Sequence, residues 1–144
     1  MDQKLSILVI DAQGGGIGRQ LVAAIRQELS EARITAVGAN GAATAAMLKA
    51  GADQGATGEN SVVVACRRAD VILGPIGIVI ADAMLGEITP QMAAAVARSN
   101  AKRILIPFDH CDNIIVGVPE TSMKALIRQA VDVLRQIMED SPLT

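Results

Sequence analysis

The fold is decided by Lys4-Leu5-Ser6-Ile7-Leu8-Val9-Ile10-Asp11, followed directly by Ala12-Gln13-Gly14-Gly15-Gly16-Ile17-Gly18. The first half is a short, nearly continuous apolar run, the pattern of a strand buried on both faces. The second half is a glycine-rich turn. Beyond it Ile17, Leu21, Val22, Ile25 and Leu29 recur at helical spacing, with Arg19, Gln20, Arg26, Gln27 and Glu28 polar between them. That periodicity predicts an amphipathic helix ending near Ser30-Glu31.

Working outward, Arg33 to Gly38 reads as a second strand, and Asn40 can cap a helix from Gly41 to Ala50 that Gly51 stops. Gly51 to Gly58 is a short third strand or a loop. Glu59 to about Arg68 is a helix, although Val62-Val63-Val64 leaves a strand open as the alternative. Asp70 to Gly74 is a buried strand, and Pro75 to Leu85 reads as a strand end followed by a helix. Thr89-Pro90 starts a helix running to about Ser99, with Thr as N-cap and Pro at the first helical position. Lys102 to Pro107 and Asn113 to Val118 are further strands. Met123, Leu126, Ile127, Ala130, Val131, Leu134, Ile137 and Met138 form the stripe of a closing helix. Strands alternating with helices through short connections predict one Rossmann-like α/β domain over residues 1–144. Its sheet is doubly wound and mostly parallel, with helices on both faces.

Composition removes several function classes. The chain has 144 residues, 13 Lys+Arg against 15 Asp+Glu, 51% hydrophobic and 19% charged residues, which excludes an intrinsically disordered chain. A net charge of −2 and a pI near 5.3 argue against nucleic-acid binding, which needs a basic surface. Phe108 is the only aromatic residue, so stacking platforms for single strands are missing. Cys66 and Cys111 are too few for a disulfide scaffold, and the apolar run Val71 to Leu85 is too broken to span a bilayer. The expectation is a cytoplasmic protein with no membrane association. If part of Val71 to Leu85 stays at the surface, a second subunit would cover it, so a homo-oligomer is expected; burial under the closing helix is an equal account.

Glycines after a first strand admit two explanations. A tight turn needs positive φ, and a ligand phosphate must approach backbone N–H groups with no Cβ in the way; the helix N-terminus then favours the anion. Alternatively, the glycines only let helix and strand pack closely. A dinucleotide fingerprint starting at Gly14-x-Gly16 requires glycine at position 19, where Arg19 stands. Gly16-Ile17-Gly18 resembles the Gly-x-x-x-Gly-Ile-Gly turn of short-chain dehydrogenases, with Ala12 replacing the first glycine. Those enzymes use a Tyr-x-x-x-Lys pair, and a chain without tyrosine has no such chemistry. No Gly-Lys-Ser/Thr loop is present, so the P-loop NTPase reading fails.

In an open α/β sheet, ligands bind at the carboxyl ends of strands where the strand order reverses. The expected binding set is therefore Asp11, Gln13, Gly14, Gly15, Gly16, Ile17 and Gly18 on one wall and Gly74-Pro75 on the other, with Gly58-Glu59-Asn60 adding N–H donors. For Thr57 or Asn60 the commoner role is a plain helix cap. Asp11 and Asn40 are the candidate sugar contacts, although an Asp in that position more commonly shapes the turn through backbone N–H groups. The expected ligand is a small phosphate-bearing molecule, NAD(P) or another nucleotide. His110 and Cys111, flanked by Asp109 and Asp112 after a strand, are the candidates for chemistry; a thiolate beside His is a nucleophile, and all three residue types bind zinc. Adjacent residues rarely converge on one atom, so no metal site is assigned, and whether the protein is an enzyme stays open. Of the carboxylates Asp82, Glu87 and Glu59, none is assigned to catalysis. Cys66, beside Val62 and Val63, is expected in the core.

Four strings in order, Ile10 to Gly18, Met47 to Asp53 with Gly55 to Asn60, Ile72 to Met92, and Arg103 to Pro107, resemble a family of small uncharacterised bacterial proteins described only as a domain of unknown function. The resemblance runs from Lys4 to about Ile137. In that family the glycine run reads Asp-Gly-Gln-Gly-Gly-Gly-Ile-Gly, so Ala12 is a departure, and Asn-Lys/Arg-Cys stands where this chain has Asp109-His110-Cys111. The resemblance implies a cytoplasmic bacterial protein with a Rossmann-like fold, and it implies no activity.

Overall fold

The computed structural model describes residues 4–107, 113–118 and 122–141. Alternation along the first strand, β1 (Ser6–Asp11), sets up the layers. Ile7 and Val9 enter one core cluster, and Leu8 and Ile10 enter the other, as the two-residue period of a strand requires. All of these side chains are fully buried, each contributing about 1.5–3 kcal/mol of apolar transfer energy.

The helix α1 (Gly16–Glu28) follows, then β2 (Arg33–Gly38), α2 (Gly41–Ala50), β3 (Gln54–Thr57), α3 (Glu59–Arg68) and β4 (Val71–Pro75). After a 3-10 turn at Ile76–Val79 come α4 (Pro90–Arg98), β5 (Lys102–Ile106) and α5 (Met123–Asp140). The five strands lie in the order β3-β2-β1-β4-β5, every pair parallel. Leu21, Val22 and Ile25 of α1 join Ile127, Val131 and Leu134 of α5 on one face. Val62 and Cys66 of α3 join Met92 and Val96 of α4 on the other. This is the Rossmann-like α/β arrangement, helices on both faces of a wholly parallel sheet.

Local caps explain why several elements end where they do. The Asn40 side chain accepts from the Ala43 N–H to start α2, and Gly51 closes it at φ 124°. The Thr89 side chain accepts from the Met92 N–H, with Pro90 at the head of α4. The first helix ends at Glu28 rather than Ser30-Glu31, because Leu29 leaves helical geometry at φ −134°. Residues 59–68 are helix, not strand; their buried Val62 and Cys66 lie four apart on one helical face.

Two expectations need correction. The segment Pro75 to Leu85 holds no α-helix. β4 ends at Pro75, and after the 3-10 turn Asp82, Met84 and Leu85 take left-handed φ of 67°, 57° and 57°. Asp82 is exposed there, and a chain stepping through left-handed residues cannot continue a helix. The segment Asn113 to Val118 is not a strand: it has no regular structure and all six residues are exposed. Its β-branched composition records fitness for a pleated surface, and a strand forms only where a partner edge is supplied.

The order reverses between β1 and β4. The chain steps outward from β1 to β2 to β3, then α3 carries it back across to β4. Paired register between β1 and β4 runs only from Ile7–Val71 to Val9–Leu73, whereas β1 pairs with β2 as far as Asp11–Gly38. The paired register of the two central strands therefore stops short of the glycine turn.

Candidate functional site

Asp11 organises the turn from behind. Its carboxylate is buried, with Oδ1 accepting from the Ala12 N–H at 2.8 Å and Oδ2 from the Gly18 N–H at 2.6 Å. Burial pushes its carboxyl above the ordinary 3.8, opposed by the N–H groups of Gly18, Ala12 and Ile17; the charge of Glu87 adds a smaller upward push. No side chain of the N-cap residue, Gly15, caps α1. Asp11 supplies that anion from the preceding strand, the turn-shaping use of such a residue.

The four glycines of the run divide into two pairs. Gly15 sits at φ 71°, and a Cβ there would lie 3.0 Å from the Ala43 backbone. A Cβ on Gly18 would lie 2.6 Å from the Met47 sulfur and 2.9 Å from Asp11 Cβ. Packing and backbone shape account for both. Gly14 and Gly16 have neither reason: a Cβ on either would meet nothing within 4 Å, and neither takes a left-handed φ. The Gly15 N–H closes the turn onto the Ala12 carbonyl at 2.9 Å. The N–H groups of Gly14 and Gly16 have no partner among the described residues.

A cleft of about 340 Å³ opens over this pair. The turn residues Asp11 to Ile17 form one wall with Gln20 of α1, and Pro75, Met84 and Met123 form the other. None of these side chains is cationic, so an anion here would be met by backbone N–H groups and the positive end of α1. Met84, Pro75 and Ile17 give the remainder an apolar surface, as small-molecule sites have.

The loop between the 3-10 turn and α4 reaches over to the same turn. Glu87 Oε1 accepts from the Gln13 N–H at 2.9 Å and from Asn40 Nδ2 at 2.7 Å. Asn40 also donates to the Gln13 carbonyl at 2.9 Å while its Oδ1 caps α2. The Asn40 amide thus ties the turn, through Nδ2, to the head of α2, through Oδ1. Thr89 donates to the Glu59 carboxylate, which ties α3 to the head of α4.

The expected binding residues are accordingly only partly brought together. Asp11, Gln13, Gly14, Gly15, Gly16, Ile17 and Pro75 line one cleft, with Gly18 packed beneath the turn and Asn40 braced against Gln13. Gly74 belongs to the packing: a Cβ there would lie 2.5 Å from the Ile10 carbonyl oxygen. Gly58, Glu59 and Asn60 do not line that cleft. Gly58 itself is the N-cap of α3, at φ 105° and without a side-chain cap; Thr57 and Asn60 are not caps, and the Thr57 hydroxyl bonds that of Thr44 at 2.7 Å. His110 and Cys111, with Asp109 and Asp112, lie outside the described residues. Cys66 is buried as expected, and burial pushes its thiol up to about 11, leaving it unreactive. Met84, Met123 and the bridging role of Glu87 escaped the sequence reading; the available signal was a lone acid, Glu87, after a buried strand.

Comparison with known proteins adds an affiliation. A family model described as a domain of unknown function, DUF3842, matches residues 6–139. The chain is similar to a dodecameric FMN-dependent UbiX-like decarboxylase from Escherichia coli O157:H7 of known crystal structure, at 16% identity, covering 94% of this chain and 96% of that one, with a TM-score of 0.44. No curated protein matches the chain. No helix among the described residues is long and apolar enough to cross a membrane.

Proposed function

The chain belongs to the domain-of-unknown-function family DUF3842, and from that premise we propose that it binds a small phosphate-bearing ligand, a nucleotide or dinucleotide, over the turn Gly14–Gly18. One observation carries this reading: Gly14 and Gly16 are bare where neither packing nor backbone conformation asks for glycine, and their N–H groups have no acceptor among the described residues. A Cβ-free surface with free donors at the head of a helix suits an approaching phosphate. The cleft lies at the reversal of strand order, where such folds bind ligands. In this reading Gly14, Gly15, Gly16 and the first turn of α1 receive the phosphate, and Pro75, Met84 and Ile17 line the rest. Asp11 and Asn40 act as positioning residues that hold the turn, and sugar recognition does not depend on them.

A second reading is favoured by a specific observation. Asp11 and Glu87 already take the N–H groups of Ala12, Gln13 and Gly18, so the turn is stable with no ligand. It would then be a packing device in a non-catalytic, homo-oligomeric or regulatory module. Calorimetric titration with NAD, NADP, ATP, GTP and FMN separates the two. A micromolar dissociation constant for one of them supports the ligand site, with the nicotinamides checked by their own fluorescence, since no Trp or Tyr competes. Absence of heat with all five moves the packing reading to first place.

A further inference from the structure

Among the described residues, segment 113–118 has the chemistry that least matches its surroundings. Asn113-Ile114-Ile115-Val116-Gly117-Val118 holds four β-branched apolar residues and no charge. Ile114 is 90% exposed and Val116 92%, and Ile115 and Val118 are exposed with them. A contiguous apolar stretch of this kind marks an interaction surface more often than a solvated loop.

The same chain carries a complementary feature. β5 pairs with β4 from Lys102 to Ile106 and ends the sheet, so its outer edge has no strand partner among the described residues. Ile104 and Ile106 are buried and Leu105 is half-buried, which gives that edge apolar flanks. An open edge is a template for strand addition.

We infer that the occupant is a second copy of this chain, with residues 113–118 of each protomer added along the β5 edge of the other. Both halves of the contact are present in one sequence, and the added segment has no charge with which to select a differently charged partner. Parallel addition to its own β5 is ruled out by length, because six residues separate Ile106 from Asn113 and a parallel crossover needs about a dozen or more; antiparallel addition would fit that length, but within the protomer residues 113–118 are exposed and form no strand. Reciprocal exchange closes as a two-fold dimer and uses the short segment twice. That helps a six-residue strand toward the roughly 800 Å² per partner of a stable interface.

Sedimentation velocity on the full chain without nucleotide tests this independently of any ligand. The wild type is expected to sediment as a dimer or a multiple of one at micromolar concentration. The double variant Ile114→Asp with Val116→Asp is expected to be a folded monomer, since both side chains are outside the core. Leu85→Asp, at a residue 95% exposed elsewhere, is expected to leave the assembly unchanged. Hydrogen exchange at the β5 amides should be slower in the wild type than in the double variant. A monomeric wild type, or a double variant that stays assembled, overturns the inference. Loss of assembly with no change in β5 exchange overturns the edge pairing.

Discussion

The turn after β1 and the turn after β4 look alike in sequence, each a buried strand running into glycines at the centre of the sheet. In three dimensions their glycines have different surroundings. At Gly74 the missing side chain is replaced by protein: a Cβ would lie 2.5 Å from the Ile10 carbonyl oxygen and 2.9 Å from Ile78 Cδ1. At Gly77 it would lie 2.8 Å from Met84 Cε. At Gly14 and Gly16 the same absence leaves open space beside N–H groups that have no partner among the described residues. A glycine in a sequence reports that a Cβ is unwelcome; only the surrounding atoms tell whether a neighbouring strand or a ligand is the reason.

The largest expected effect falls on the packed turn. Gly74→Ala drives a methyl group against a backbone carbonyl of the adjacent central strand, which cannot rotate away as a side chain can. The expected loss is about 3 kcal/mol or more of unfolding free energy, at the upper end for an overpacked core, measured by urea denaturation. A loss below about 1 kcal/mol would mean that β1 and β4 separate easily at their carboxyl ends and would erase the contrast between the two turns.

How much of this contrast was readable beforehand follows from what each feature depends on. Arg33–Gly38, Gly41–Ala50 and Glu59–Arg68 have the bounds read from the sequence, because their signals are local: Asn40 before α2, Gly51 after it, short apolar strands on either side. The parallel sheet follows from that alternation. The fate of Pro75 to Leu85 did not, since an apolar run carries no mark of three left-handed residues. Asn113 to Val118 has strand composition, but pairing is a property of the partner edge. The position of Glu87 was the least legible, because its bond to Gln13 joins residues 74 apart in the chain.

Asp11 gives the next effect, and a pH signature. Asp11→Asn keeps the shape but turns one acceptor oxygen into an NH₂ facing the N–H of Ala12 or Gly18, an expected cost of about 1–3 kcal/mol at neutral pH. Burial holds the wild-type carboxyl above 3.8 in the folded state, so the folded protein binds that proton more tightly than the unfolded chain. The stability from protonation is complete below the unfolded value and is lost as pH rises through the folded one. The variant should therefore lack that part of the decline with pH, seen by comparing urea midpoints of the two proteins between about pH 4 and 7. Parallel profiles would show that the Asp11 proton is bound alike in both states.

Glu87→Ala comes third. It removes the acceptor shared by the Gln13 N–H and Asn40 Nδ2 at the surface, an expected cost of about 0.5–1.5 kcal/mol. It also removes a negative charge beside the proposed phosphate position and frees the Gln13 N–H as a donor. Any nucleotide that binds the wild type should bind this variant more tightly by calorimetry, and the gain should shrink as salt is raised. Weaker binding would instead make Glu87 a required brace for the turn.

Gly16→Ala has the smallest expected effect on stability and separates the two readings of the turn most cleanly. Its Cβ would meet nothing within 4 Å, and the residue opens α1 with an ordinary backbone conformation. Stability should be unchanged or raised by up to about 1 kcal/mol, because alanine loses less chain entropy in a helix than glycine does. The same methyl group would stand in the space a phosphate must enter, so nucleotide affinity should fall about tenfold or more, a loss of about 1.4 kcal/mol in binding. Affinity lost with stability intact is the behaviour of a surface kept bare for a ligand. If affinity survives, the phosphate does not approach Gly16; if stability collapses instead, Gly16 belongs with Gly74 among the packed glycines, and the difference between the two turns disappears.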